Sequence, residues 1–331
     1  MPIIRQAGEP AGNLRQRSFA QRIRAGRVVP VISDPAMIDM ALGGYPRLVE
    51  GYAELAGYPM PDRANLVKVA KYRQLQENIA DRTLKSDYLN WVKNHIYFTA
   101  QKAGADEETL AEAEAEMDDV PASAFARRLG YPQLEGGTAN SLLVLANLPV
   151  RVFLTTSPHT FLEDALQRAG KEPRTETCRW FKELDGIESA IDAGYRPSAE
   201  EPLVYHLHGV DTQPASLVLT VDDHLTFLVN IARGQGNEAA DRVPAIVRQA
   251  LFDDLIVLGY SLSDWAFRGL YAGLIKPSGR QEDRGVCALQ LTPSEVEQRY
   301  LEDYAHREAK FDVFWGNIDQ YAQELLGMMN E

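Results

Sequence analysis

The chain has 331 residues, enough for one large α/β domain or a domain with an insertion, and its hydrophobic share of 45% is that of a folded protein. A formal net charge of −13 argues against direct nucleic-acid contact, which needs a basic footprint; the arginines near the amino terminus, Arg5, Arg15, Arg17, Arg22, Arg24 and Arg27, read as the solvated face of a helix. Two distant cysteines, Cys178 and Cys287, exclude a four-cysteine zinc site, and with neither a membrane-spanning apolar run nor a signal-peptide-like start the expectation is a cytoplasmic protein with no membrane contact.

In chain order, a first helix is predicted over 14–25, capped by Asn13, ended by Gly26 and carrying Leu14, Phe19 and Ile23 on its apolar face. Residues 27–32 form a β-branched run and a first buried strand, with Pro30 marking it as short or at an edge. From 45 to 147 the pattern is helical. It includes an acidic, alanine-rich stretch at 106–119, a break at Gly136-Gly137 and an apolar helix over 141–148.

Beyond residue 148 strands alternate with helices. Strands are predicted at 150–155, 203–207, 217–220, 255–258, 286–290 and 311–314. Helices are predicted at 161–168, 222–231, 264–275, 293–308 and 318–328. Alternation of this kind implies an α/β fold, a Rossmann-like doubly wound parallel sheet with a large helical insertion. The expected division is 1–44 for the start of the sheet domain, 45–147 for the insertion and 148–331 for the remainder.

Ligands of such sheets sit at the carboxyl ends of the strands, and four segments fall there. Ser33-Asp34-Pro35 contains no glycine, an acid that repels phosphate and a proline without an amide, so on residue types alone it is a plain turn. Thr155-Thr156-Ser157-Pro158-His159 offers hydroxyls that can cap a helix or bond a ribose. In His206-Leu207-His208-Gly209, alternation puts both histidines on one face, and the glycine leaves room for a ligand. No carboxylate or cysteine at suitable spacing completes a metal site there. Gly259-Tyr260-Ser261, after a strongly apolar strand, could admit a nucleotide, with Ser263 or Asp264 capping the next helix.

Taken together and in order, these segments resemble the sirtuin-like domain family of bacterial antiphage defence NADases. The resemblance rests on Gly44-Tyr45-Pro46, Phe153-Leu154-Thr155-Thr156 with Leu162-Glu163, Val204-Tyr205-His206-Leu207-His208-Gly209 and Leu219-Thr220 with Asp222-Asp223-His224-Leu225. It continues through Ile256-Val257-Leu258-Gly259-Tyr260-Ser261-Leu262 with Asp264, and Phe314-Trp315-Gly316. It implies NAD as cofactor, no zinc, and cleavage of the nicotinamide–ribose bond in active members.

The family's catalytic histidine falls on His208, and its threonine-pair asparagine aligns with Ser157, an altered or vestigial position. Cofactor contacts are carried over to Ser33, Asp34, Thr155, Thr156, Gly209, Gly259, Tyr260 and Ser261. The family's Gly-Ala-Gly turn aligns with Ser33-Asp34-Pro35, and the aspartate near its asparagine aligns with His159. These departures favour a subunit with a degenerate NAD site, acting as a homo-oligomer or with a defence-system partner protein. The alternative is an active NAD hydrolase that depletes NAD on infection.

Overall fold

The computed structural model describes residues 3–6, 14–137, 140–233, 241–261, 265–275, 287–291 and 311–330. Among the described residues, eight parallel strands form one sheet: β1 (Ile3–Gln6), β2 (Val28–Ile32), β3 (Val152–Thr155), β4 (Arg174–Thr177), β5 (Leu203–His206), β6 (Asp254–Leu258), β7 (Cys287–Leu291) and β8 (Phe311–Trp315). Their order is β1-β8-β7-β6-β2-β3-β5-β4. The chain leaves β2 for β3 and β5 on one side, then returns to β6, β7 and β8 on the other. The direction of winding therefore reverses at β2, and the crevice of a doubly wound sheet opens over the carboxyl ends of β2, β3 and β6. The fold class expected from the strand–helix rhythm is the one observed.

Alternation along the strands builds two cores. Val28, Ile32, Phe153, Val204, Ile256 and Leu258 face one layer of helices. Val29, Val31, Val152, Leu154, Leu203, Tyr205, Leu255 and Val257 face the other. The first layer holds α1 (Leu14–Arg24), α2 (Asp34–Ala41), α8 (Ser141–Asn147), α9 (Phe161–Arg168) and α13 (Ile318–Asn330). It continues without a break into the helices of the 45–147 stretch: α3 (Tyr45–Leu55), α4 (Leu66–Glu77), α5 (Asp81–Lys102), α6 (Glu107–Glu116) and α7 (Ala122–Arg128). Val49, Tyr52, Val69, Leu84, Val92 and Phe125 belong to the same apolar cluster as the sheet residues. The second layer is built on α10 (Val221–Arg233), α11 (Ala245–Ala250) and α12 (Trp265–Leu270).

Four expectations need correction. β2 is central, not an edge, despite Pro30. The Ile32 carbonyl accepts the Thr156 amide while the Ser33 amide donates to Leu258, so even-numbered residues of β2 turn their main chain toward β3. The amide that Pro30 lacks would face β3, whose ladder with β2 begins only at Val31, so no ladder bond is lost. Residues 217–220 are not a strand. The amides of Leu219 and Thr220 both donate to the Asp223 carboxylate, at 3.0 and 2.9 Å, which satisfies them without a ladder. The expected helix over 264–275 is α-helical only to Leu270 and finishes as a π turn, Tyr271–Ile275. Finally, β1 and β4 had not been anticipated: both are outer strands of four residues, and Arg-Thr-Glu-Thr in β4 has no apolar run to announce it. The predicted helix 293–308, the Asn13 cap and the cap at Ser263 or Asp264 lie outside the described residues.

Candidate functional site

At the end of β2 the chain turns directly into α2. The Ser33 hydroxyl donates to the Gly259 carbonyl at 2.8 Å and accepts the Ala36 amide at 3.2 Å, which makes it the helix cap. The Asp34 amide donates to Thr156 Oγ1 at 3.1 Å, Pro35 has no amide, and the Met37 amide bonds the Ser33 carbonyl. Every main-chain donor in the first turn of α2 is therefore engaged within the protein.

The Asp34 carboxyl stands at this corner. Ser157 Oγ donates to its Oδ1 at 2.8 Å, and Oδ2 has no partner among the described residues. Burial raises the Asp34 pKa above the usual carboxylate range, against the opposing pull of His159 and the Ser157 hydrogen bond.

The loop after β3 is locked from beneath. Thr155 Oγ1 donates to the Ile32 carbonyl and accepts the Ser157 amide, so it is a strut rather than a wall. His206 Nδ1 meets the Ser157 carbonyl at 2.7 Å, and its Nε2 meets Glu163 at 2.9 Å. Both partners are acceptors, which calls for a ring protonated on both nitrogens. Burial opposes that charge, but Glu163 and the Ser157 carbonyl outweigh it and raise the His206 pKa. His159 is fully enclosed, stacked on Phe161 at 5.2 Å between ring centres, with Nδ1 3.6 Å from Asp211. Asp211 also accepts the amide and hydroxyl of Ser123 in α7, and these contacts with His159 hold its pKa low against burial.

His208 is placed differently from His206. β5 ends at His206, so the alternation that would align the two rings stops there. His208 packs edge-on against His224 and Phe227 at 4.9 and 5.0 Å between ring centres, on the second helix layer, while His206 faces α9 in the first. The two do not converge on a common point. Among the described residues no three His, Cys, Asp or Glu side chains gather as metal ligands. Burial, followed by the neighbouring His224, drives the His208 pKa well below the ordinary value. The ring is thus a neutral imidazole at pH 7, offering one donor and one acceptor, and neither nitrogen has a hydrogen-bond partner among the described residues.

Gly209 does not make room for a ligand. At φ +90°, a Cβ there would lie 2.4 Å from the Ser216 carbonyl group, so this glycine admits the chain's own 214–217 turn. That turn carries Leu217, Val218 and Leu219 back over the crevice, where the Val218 amide bonds the His208 carbonyl at 3.0 Å. After β6, Gly259 at φ +70° lies against Ala36 and Ser33 of the α2 corner. Gln290 from β7 accepts the Gly259 amide at 2.9 Å and donates to the Gly316 carbonyl at 2.7 Å, tying together the ends of β6, β7 and β8.

Over these strand ends lies a cavity of about 440 Å³. Of the ten residues expected from the sequence, Ser33, Asp34, Thr156, His208, Gly259 and Tyr260 line it. Thr155, Ser157 and Gly209 stand behind it as supports, and Ser261 is half-buried just past its edge. The sequence reading missed the insertion's share. Asp62, Asn65, Leu66 and Tyr88 close the far side, although only their helical context was legible and nothing in their spacing marks them. No lysine or arginine occurs among the described lining residues.

Residues 151–308 match the family model described as a SIR2-like domain. The match covers just under half of the chain. The matched stretch spans the β3 loop, His208 and the Gly259 turn, whereas the Ser33–Pro35 corner and the 45–147 helices precede it. No curated protein matches the chain.

The match to this family model is consistent with a role connected to NAD, and the cavity can be tested for that fit. A dinucleotide at the switch point needs amide donors for its diphosphate at the start of the helix after β2. Here those donors, which precede the matched stretch, are consumed, and a carboxyl group stands among them. Each charge-assisted bond forgone is worth about 1.5–3 kcal/mol. The corner therefore does not fit a diphosphate, while the neutral His208 remains suited to a hydroxyl.

Proposed function

We propose that this protein is a sirtuin-like subunit of a bacterial antiphage defence system with a degenerate NAD site, acting through oligomerisation or partner binding rather than NAD cleavage. The closed first turn of α2, with Asp34 where a phosphate would dock, is the observation that carries the reading. The defence context is supported by the family resemblance of the strand-end segments. Purified protein, alone and with a candidate partner, is incubated with NAD and followed for nicotinamide release. The expected result is no release above a no-protein control. Turnover that is abolished by His208→Ala would overturn the proposal.

A second reading is favoured by one observation: His208 is neutral, in the cavity and without a hydrogen-bond partner among the described residues, which suits it to contact ribose hydroxyls in an active NAD hydrolase. The same assay distinguishes the two.

A further inference from the structure

We propose that a second cleft, at the amino ends of β2 and β3, binds a small organic monocarboxylate with a compact apolar body. The cleft lies at the opposite end of the strands from the cavity described above and does not depend on how that cavity is read.

Val28 and Val152 open their strands, and both line this cleft of about 250 Å³. Because β2 and β3 run parallel, their first residues lie at the end away from Ser33 and Thr156. Gly26 sets the rim. At φ +66°, a Cβ there would lie 2.2 Å from the Pro149 carbonyl oxygen, so glycine lets the turn into β2 pass close to the chain that enters β3. That close approach holds the segment carrying Arg151 at the mouth of the cleft, and α11 with residues 196–197 supplies the other walls.

The floor is apolar and the rim is cationic. Val28, Val29 and Val152 are buried, and Ile246 and Ala250 of α11 extend their surface. Arg151 and Arg196 line the cleft with exposed side chains, and neither pairs with a carboxylate among the described residues. In a chain of net charge −13 acids are plentiful, so two arginines left without one at a single cleft are a charge that the fold does not use internally. Arg196 Nη1 donates to the Tyr195 carbonyl at 2.9 Å, which steadies the guanidinium and leaves its other N–H groups to a ligand.

Asp253 limits the ligand's charge. It is the one acid among the described lining residues, with Arg27 3.9 Å away. Two arginines against one carboxylate leave the lining with a single positive charge, which one negative charge matches. A phosphate dianion would meet Asp253 with charge uncompensated and would set its remaining oxygens against valines that donate nothing. A carboxylate instead takes the guanidinium fork in a bidentate pair while its apolar body covers the floor. The volume falls just under the usual range for drug-sized ligands, about 300–1,000 Å³, which restricts that body to one small ring or a short branched chain.

Ligand-observed NMR titration of the whole chain with benzoate, benzamide and inorganic phosphate tests the proposal. The expected result is saturable benzoate binding with a Kd of about 1 mM, benzamide weaker by about fivefold or more, and no displacement of benzoate by phosphate. Arg151→Gln and Arg196→Gln should each weaken benzoate by about threefold or more, and both side chains are exposed, so neither change touches the core. Asp253→Asn should tighten benzoate and let phosphate compete. The proposal is overturned by no saturable benzoate binding, by benzamide or phosphate binding as tightly, or by unchanged benzoate affinity in the variant lacking both arginines. Comparison of the three probes on the native protein decides the matter even if a variant folds poorly. Nicotinamide release from NAD, which tests the function proposed above, is independent of every arm.

Discussion

Thr156 Oγ1 accepts the Asp34 amide at 3.1 Å, so a strand-end threonine of β3 closes the start of the helix that follows β2. The hydroxyl also lies 3.4 Å from that of Tyr260, which joins three strand ends through one atom. Thr156→Val keeps the shape and removes the acceptor. Leaving a mostly buried amide unpaired costs about 1–3 kcal/mol, and water from the cavity replaces part of the loss, so a drop of about 1 kcal/mol is expected. Urea denaturation measures it. Thr156→Ser, which keeps the oxygen, should recover most of the loss; equal losses in the two variants would show that the hydroxyl does not close the helix.

Lys85 links the insertion to the cavity wall. Its side chain is 1% exposed and reaches Asp81 at 2.8 Å and Asp223 at 3.2 Å, with Trp180 beneath it. Asp223 in turn holds the Leu219 and Thr220 amides that shape the wall. Removing one member of a buried pair costs about 3–5 kcal/mol, but Asp81 is half exposed, so Lys85→Met should lose about 3 kcal/mol. Double-mutant cycles with Asp223→Asn should show strong coupling. Additive losses would contradict the link.

These two cases also show what the sequence could reveal. Apolar runs such as 255–258 and the helix at 161–168 were legible because burial on both faces, or on one helical stripe, leaves a periodic signature. The strand-end residues Ser33, Thr156, His208 and Gly259 were legible because strand–helix alternation implies where a crevice must open. Asp62, Tyr88 and Lys85 were not, since they belong to the 45–147 stretch, whose packing against the sheet is a long-range property with no local pattern. Nor could residue types alone tell that Gly209 admits Ser216 rather than a ligand, or that Thr155 faces Ile32.

His206 and Glu163 form an enclosed pair with a pH signature. Burial alone would lower the His206 pKa, but the Glu163 carboxylate and the Ser157 carbonyl raise it. The folded imidazole therefore holds its proton more tightly than the unfolded one. That stabilisation is complete below the unfolded value near 6.5 and fades as pH rises through the higher folded value. Glu163→Gln removes the source of the rise, so its destabilisation should be largest at pH 5.5–6 and shrink toward pH 9, as read by urea denaturation across that range. A deficit that grows toward alkaline pH would contradict the assigned charge state.

Gly209 and Gly130 share a left-handed backbone, at φ +90° and +79°, but differ in surroundings. A Cβ at Gly130 meets nothing within 4 Å, whereas at Gly209 it meets the Ser216 carbonyl group at 2.4 Å and the Leu217 amide at 2.6 Å. Gly130→Ala should therefore cost only the conformational strain, about 1 kcal/mol. Gly209→Ala must in addition push away a stretch of main chain that has no flexible side-chain end to yield, and should cost about 3 kcal/mol or more. Because that stretch carries Val218, whose amide bonds the His208 carbonyl, the damage should extend to the cavity. Hydrogen exchange at the Val218 amide should quicken in Gly209→Ala and stay unchanged in Gly130→Ala. Equal stability losses in the two variants, with Val218 protection intact in both, would mean that the 214–217 turn does not rest on Gly209 as the geometry requires.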